Sequence, residues 1–89
     1  MYKIRLYILD TSSRAIKAID NIKKILNEEL PGQYSLEIKD VFENTDLAQQ
    51  DKIMVTPTVI RFMPKPGKRI IGDFSNKAMV LKGLGIVKN

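Results

Sequence analysis

Hydrophobic and polar residues alternate at the start of the chain, and a helical period then replaces this alternation. Ile4, Leu6 and Ile8 occupy every second position, which is typical of a strand with one buried face. Apolar residues next recur at three- and four-residue spacing, which predicts an amphipathic helix with the buried positions Ala15, Ala18, Ile19, Ile22, Ile25, Leu26 and Leu30. Ser12 or Ser13 can cap this helix, and Pro31 with Gly32 stops it. A second alternating run covers residues 34–38 and continues to residue 42, so the first half predicts a β-α-β unit with parallel strands.

The second half of the chain predicts a short helix, a hairpin and a final helix. Residues 44–46 provide a cap before a short helix at 47–53. Residues 58–63 form a buried strand, and two prolines and a glycine turn the chain into a second strand at 68–71. Ser75 can cap a last helix that runs to Leu84. The order β-α-β-α-β-β-α is that of thioredoxin, so we predict an α/β, thioredoxin-like single domain over residues 1–89.

The C-terminal segment has local preferences that nearly cancel. Gly83 and Gly85 each disfavour a helix interior by ~1 kcal/mol relative to alanine. Val80, Ile86 and Val87 are β-branched and suit a strand equally well. The segment is either a frayed C-terminal helix or a region whose conformation is set by tertiary or quaternary contacts.

The chain has a thioredoxin-like pattern without the reactive residues of a thioredoxin. A redox protein of this shape carries cysteines in the loop after the first strand, which here contains Ser12 and Ser13. Pro57 lies between two threonines before a later strand, where a cis-proline faces that loop; a trans proline at a strand edge is the alternative. The sequence contains no cysteine and no histidine. We therefore predict binding rather than catalysis, with no catalytic residue, metal site or cofactor.

Composition and charge indicate a cellular compartment and a class of partner. The 89 residues are 44% hydrophobic, as expected for one domain with a modest core, and no apolar stretch approaches the ~20 residues of a membrane span. We expect a cytoplasmic protein. The net charge of +5 comes wholly from the second half and above all from Arg61, Lys65, Lys68, Arg69, Lys77, Lys82 and Lys88. This surface favours an acidic partner, and a solvated basic face without a partner is the alternative.

An ordered series of short motifs resembles the KaiB family of small clock proteins. The series spans nearly the full chain and consists of Leu6-Tyr7-Ile8, Asn27 to Glu29, Gly32-x-Tyr34-x-Leu36, Asp40-Val41, Leu47-Ala48-x-x-Asp51-Lys52-Ile53, Thr56-Pro57-Thr58, Arg69-Ile70-Ile71-Gly72-Asp73-Phe74-Ser75-Asn76 and Val80-Leu81-x-Gly83-Leu84. The Thr-Pro-Thr motif is weak by itself and becomes fairly specific when the Ile-Ile-Gly-Asp segment follows it.

The resemblance implies a non-enzymatic regulator. Proteins of this family bind the ring of KaiC, a RecA-like ATPase, gate its phosphorylation cycle and compete with the sensor domain of the histidine kinase SasA. The family is metamorphic: a homo-oligomeric ground state, a tetramer or dimer with the order β-α-β-β-α-α-β, rearranges into a thioredoxin-like monomer that binds the partner. For this chain the resemblance implies a constant half at residues 1–44 and a fold-switching half at residues 45–89.

Particular residues follow from these motifs. We predict that the cations Lys52, Lys68 and Arg69 contact the partner. The residues expected to matter for the fold switch are Pro57, Gly72, Asp73, Gly83 and Gly85. Two departures from the family bear on the clock role: the loop at residues 10–14 lacks the usual glycine and proline, and Gly85 replaces an aspartate of many relatives.

Three other functions stay open at this point. A glutathione-like ligand would use Pro57 and the segment Asp73-Phe74-Ser75, although a second helical domain and a cysteine are missing. Nucleic acid would bind through the basic half, although only Phe62 and Phe74 offer aromatic rings there for stacking. A stress-response role outside a clock is the third.

Overall fold

The computed structural model describes residues 1–10 and 12–86. Thr11 of the predicted loop lies outside the described residues, as do residues 87–89. The predictions that concern the β-branched Val87 and the basic Lys88 therefore lie outside the described residues. The elements in chain order are β1 (Tyr2–Ile8), α1 (Ser13–Glu29), β2 (Tyr34–Asp40), α2 (Thr45–Gln50), β3 (Thr58–Met63), β4 (Lys68–Ile71) and α3 (Lys77–Gly83). The predicted β-α-β-α-β-β-α order is confirmed.

The four strands form one mixed sheet in the order β2-β1-β3-β4. β1 and β2 are parallel, as the helical crossover predicts, with Leu6 opposite Ile38. β3 runs antiparallel to β1 and to β4, with Ile60 opposite Arg69 in the hairpin. Two strands, β2 and β4, therefore form the edges of the sheet.

Side chains alternate between the two faces of the sheet along each strand, and different helices cover the two faces. On one face Ile4 and Leu6 pack in the main core with α1 and α3, represented by Leu26 and Val80. The opposite face has a smaller cluster in which Tyr7, Ala48 and Ile60 pack together under α2. Each strand residue can thus be assigned to the α1/α3 face or the α2 face by its parity.

The helix starts differ in part from the prediction. Ser12 caps α1, because its hydroxyl oxygen accepts a hydrogen bond from the Ala15 amide at 3.2 Å. α2 begins at Thr45, two residues before the predicted start. The side chain of Asn44 does not cap it and instead donates to the carbonyl oxygen of Asp40 at 2.9 Å.

The cap of α3 is also one residue away from the predicted one. Asn76, not Ser75, accepts a hydrogen bond from the Met79 amide, at 3.1 Å. The amide of Ser75 is engaged by the carboxylate of Asp73 at 3.0 Å, so the chain turns once more before the helix begins.

The C-terminal segment is helical up to Gly83 and then turns. Gly85 has φ +65°, and the Ile86 amide donates to the Leu81 carbonyl oxygen at 2.8 Å, which resembles a Schellman ending. Gly83 itself lies against β4: a Cβ placed there would come 2.2 Å from Cγ2 of Ile70. Both glycines therefore permit the helical arrangement of this segment, one by conformation and one by close packing.

Candidate functional site

Two of the three predicted partner-binding cations lie together on the surface. Arg69 on β4 donates from Nη1 to the carbonyl oxygen of Lys52 at 3.4 Å, and both residues are exposed. Arg69 is opposite Ile60 in the hairpin, which places it on the α2 face. We refer to Lys52 and Arg69 as the basic pair.

Lys68 does not belong to the basic pair. It is opposite Arg61, on the α1/α3 face, and its Cδ and Cε carbons lie close to Gly85. Neighbouring strand residues point to opposite sides of a sheet, so the three predicted partner-binding cations do not lie on one surface. Within the described ranges, no ion pair with an acidic side chain involves any of the three.

The turn after α2 sets the position of Lys52. Lys52 has φ +56°, and its amide donates to the carbonyl oxygen of Gln49 at 3.0 Å. The next amide, that of Ile53, donates to the Ala48 carbonyl oxygen at 2.9 Å. These bonds satisfy the last carbonyl groups of a short helix and leave the Lys52 side chain exposed.

A network on the α2 face anchors this turn to the sheet. Asp51, the residue before Lys52, accepts hydrogen bonds at Oδ2 from Arg5 Nη1 at 2.8 Å and from the Tyr7 hydroxyl at 2.5 Å. Arg5 also pairs with Glu37 at 3.1 Å, and its guanidinium lies 4.7 Å from the centre of the Phe62 ring. The side chain of Asp51 is only 13% exposed. The network therefore holds α2, and with it Lys52, against β1.

Sequence reasoning missed this network. Its only signal is that Arg5 and Tyr7 alternate with the core residues of β1, which places both on the second face. The structure shows the consequence for Tyr7: burial, together with the hydrogen bond donated to Asp51, raises the pKa of the Tyr7 phenol to about 12. The neutral phenol is thus the form that the folded state favours.

Three of the predicted switch residues are joined near the start of β3. Pro57 follows a cis peptide bond, as predicted, and its carbonyl oxygen accepts from the Gly72 amide at 3.2 Å. The backbone oxygen of Asp73 accepts from the Asn21 side chain at 2.9 Å, and its carboxylate lies 3.7 Å from Nζ of Lys17. Hydrogen bonds from Ser75, reinforced by Lys17, hold the pKa of Asp73 below its ordinary value. This group ties β4 to α1.

The other two switch residues lie elsewhere, near the end of α3. Gly83 packs on Ile70, and Gly85 faces the guanidinium of Arg61. Arg61 is a buried cation that donates to the carbonyl oxygens of Pro66 at 2.5 Å and Gly85 at 3.4 Å. Its Nε has no hydrogen-bond partner among the described residues. Arg61 therefore links the β3–β4 turn to the C-terminal turn.

The loop that would carry thiols in a redox protein has a structural role here. Ser12 caps α1 and lines a shallow depression of about 30 Å³ together with Leu9, Arg14 and Pro57.

A larger groove of about 460 Å³ lies between β4 and α3. No helix in residues 1–10 and 12–86 has the length and apolar character that crossing a membrane requires.

These features define the class: a thioredoxin-like domain whose sequence has no redox thiol. Solved structures support this fold at low identity. The N-terminal domain of SasA from Synechococcus elongatus has a TM-score of 0.75 and 18% identity, with 99% of this chain and 87% of that domain covered. A chloroplastic thioredoxin z has a TM-score of 0.74 and 23% identity, with 96% and 76% covered.

Sequence comparison defines the family within this class. The KaiB domain model matches residues 5–86. The circadian clock protein KaiB3 of Synechocystis is 52% identical over 84 residues, covering 94% of this chain and 82% of that protein. The circadian clock oscillator protein KaiB of Microcystis aeruginosa is 40% identical over 86 residues, covering 97% and 83%. The chain belongs to the KaiB family.

Proposed function

We propose that this chain is a non-enzymatic regulatory adaptor that binds a KaiC-type, RecA-like ring ATPase in the cytoplasm and modulates its phosphorylation and ATPase cycle. The observation that carries the proposal is the 52% identity to a circadian clock protein over 94% of the chain. The thioredoxin-like arrangement shared with the SasA N-terminal domain supports competition between this chain and a SasA-like histidine kinase for one docking surface on the ATPase.

The basic pair is the proposed centre of the docking surface. Lys52 and Arg69 are exposed and adjacent, and neither forms an ion pair within the described part of the chain. Two unpaired cations at this spacing attract an acidic patch and accelerate its association. Lys68, on the opposite face, is assigned at most a peripheral contact with the same partner.

The proposal includes a fold switch of residues 45–89, with residues 1–44 constant. The free protein then exists as a homo-oligomer, a dimer or tetramer, in equilibrium with the thioredoxin-like monomer that binds the ATPase. Pro57, Gly72 and Asp73 form one junction of the thioredoxin-like state, and Gly83 and Gly85 the other. The partner stabilises the rarer state, and the apparent affinity equals the intrinsic affinity of the monomer multiplied by the fraction of monomer present.

The test is complex formation with the KaiC-type ATPase of the same organism, followed by gel filtration over hours with ATP or ADP. We expect slow, nucleotide-dependent co-elution. The variant Lys52→Glu/Arg69→Glu should weaken the complex by at least about tenfold. Lys23→Glu makes the same kind of charge change on exposed α1 and should have little effect.

Three results separate the parts of the proposal. A complex that the basic-pair variant and Lys23→Glu weaken equally would remove the assigned docking surface but leave the adaptor function. The absence of any complex with either nucleotide would refute the adaptor function itself. A rate of complex formation that stays diffusion-limited, together with a single conformer of the free protein, would refute the fold switch.

A further inference from the structure

The edge strand β4 presents a free backbone edge beside an apolar groove. β4 pairs with β3 alone in the sheet, so its outer N–H and C=O groups have no strand partner among residues 1–10 and 12–86. Ile71 and Met79 are among the residues that line the groove of about 460 Å³ between β4 and α3, and these two residues are 57% and 68% accessible. Such an edge is a template for one more strand.

The four residues of β4 have an order that selects the added strand. Lys68 and Ile70 point to the α1/α3 face, and Arg69 and Ile71 point to the α2 face. Each face of the edge therefore has one cation followed by one aliphatic residue. Neither cation is in an ion pair within the described ranges.

We propose that this edge binds an extended segment of a partner protein in which two aliphatic residues precede two acidic residues. In antiparallel addition, the aliphatic residues lie opposite Ile71 and Ile70, and the acidic residues lie opposite Arg69 and Lys68. Every cross-strand pair is then either apolar or oppositely charged. The aliphatic residue opposite Ile70 lies on the α1/α3 face, where the groove beside Met79 accommodates its side chain. The aliphatic residue opposite Ile71 lies on the α2 face, against the exposed Ile71.

A second copy of the chain fits this edge poorly. Antiparallel pairing of β4 with itself places Lys68 opposite Ile71 and Arg69 opposite Ile70. All four cations of such a pair lack a charged partner, and all four isoleucines face a charge. Charge complementarity therefore favours an acidic peptide over self-association.

The edge is separate from the docking surface proposed above, although Arg69 takes part in both. Lys52 belongs to the basic pair and does not lie on β4. The variant Lys52→Glu should weaken docking to the ATPase and leave peptide binding unchanged. The two proposals can therefore fail independently of each other.

The test measures fluorescence anisotropy with labelled synthetic peptides. One peptide contains Val-Val-Glu-Glu between threonines, and its control has the same composition in the order Val-Glu-Val-Glu. Whether the control peptide adds to β4 in the parallel or the antiparallel direction, two of its four cross-strand pairs place a charged residue opposite an apolar one. We expect saturable binding of the first peptide and about fivefold weaker binding of the second.

Reversing the charges on the protein, rather than changing the peptide, provides a second test. The variant Lys68→Glu/Arg69→Glu should lose the Val-Val-Glu-Glu peptide and gain a Val-Val-Lys-Lys peptide, a gain that also shows that the variant is folded. Lys65→Glu makes the same change in the exposed hairpin turn, outside β4, and should keep the original preference.

Three outcomes would overturn the inference. These are equal affinity for the two peptide orders, equal weakening by Lys65→Glu and by the β4 variant, and the lack of saturable binding to any peptide. A concentration-dependent dimer that Lys68→Glu/Arg69→Glu abolishes, without peptide binding, would assign the edge to a second copy instead.

Discussion

The hydroxyl of Tyr7 on β1 donates a hydrogen bond to the carboxylate of Asp51 at the end of α2, across 44 positions of sequence. Asp51 receives a second bond from Arg5, so one carboxylate holds two side chains of β1. The contact joins residues 1–44 to residues 45–89. It is therefore specific to the arrangement in which α2 lies on the sheet.

Replacement of the carboxylate should loosen α2. Asp51→Asn removes the charge that Arg5 and Tyr7 contact at a site with 13% exposure. We expect the free energy of unfolding to fall by roughly 1–3 kcal/mol, since a buried network loses its charged acceptor. Chemical denaturation measures this change. Asp20→Asn, on the exposed surface of α1, is the matched control and should stay within about 0.5 kcal/mol of the parent protein.

The raised pKa of Tyr7 predicts a loss of stability in alkali. The phenol has a pKa of about 12 in the folded state against 10.0 unperturbed. A raised pKa favours the neutral phenol, so its contribution is complete below pH 10 and disappears as the pH rises towards 12. A shift of this size corresponds to roughly 2–3 kcal/mol.

The measurement is the free energy of unfolding of the parent protein and of Tyr7→Phe over this pH range. The parent should lose stability relative to the variant between pH 10 and pH 12. A constant difference between the two proteins would show that Tyr7 does not titrate as described.

Gly83 is predicted to be required by the contact between α3 and β4. Gly83→Ala gains up to ~1 kcal/mol of helix propensity, but its Cβ would lie 2.2 Å from Cγ2 of Ile70. Overpacking should dominate, with a net loss of about 1–2 kcal/mol. In an Ile70→Ala background the clash is removed, and the same substitution should be neutral or stabilising. Equal costs in the two backgrounds would contradict the packing explanation.

Gly85 is predicted to tolerate aspartate better than alanine. Its φ of +65° costs an alanine roughly 1–2 kcal/mol, and aspartate and asparagine accept this conformation more readily. A Cβ at Gly85 lies 3.1 Å from Nη1 of Arg61 and from Cδ of Lys68, so a carboxylate would meet two cations. We expect Gly85→Asp to be the most stable of the three variants, Gly85→Asn to be intermediate and Gly85→Ala to be the least stable.

Salt dependence separates the two causes. The part of the advantage of Gly85→Asp over Gly85→Asn that comes from the exposed Lys68 should shrink at high ionic strength, whereas the part from the buried Arg61 is screened less. The advantage of Gly85→Asn over Gly85→Ala is conformational and should persist. An aspartate variant no more stable than the asparagine variant at low salt would exclude the charge effect.

Local patterns were sufficient for the elements themselves. The predicted strands at residues 58–63 and 68–71 agree with β3 and β4, and of the two predicted caps of α1, Ser12 and Ser13, the structure selects Ser12. Turn chemistry was less reliable: Asp73 engages the amide of Ser75, which moves the cap of α3 to Asn76. Short polar residues in succession compete for the same backbone groups, and sequence does not rank them.

The candidate site was only partly predictable. Lys52, Lys68 and Arg69 were chosen from charge and motif position, and the structure places Lys68 on the face opposite Arg69, a separation that strand parity encodes. The anchoring of α2 by Asp51 could not be predicted. It depends on the approach of β1 to residues more than forty positions away, which no local pattern encodes.

The sequence by itself determined the order of elements and the lack of thiol and imidazole groups, because periodicity and residue identity are local properties. The tertiary structure decided which cations share a surface, that Asp51 joins α2 to β1, and that Gly83 and Gly85 accommodate a helix ending against β4 and Arg61. The physical reason is that these outcomes depend on strand register and side-chain packing between distant segments. Those contacts form only when the whole sheet is assembled.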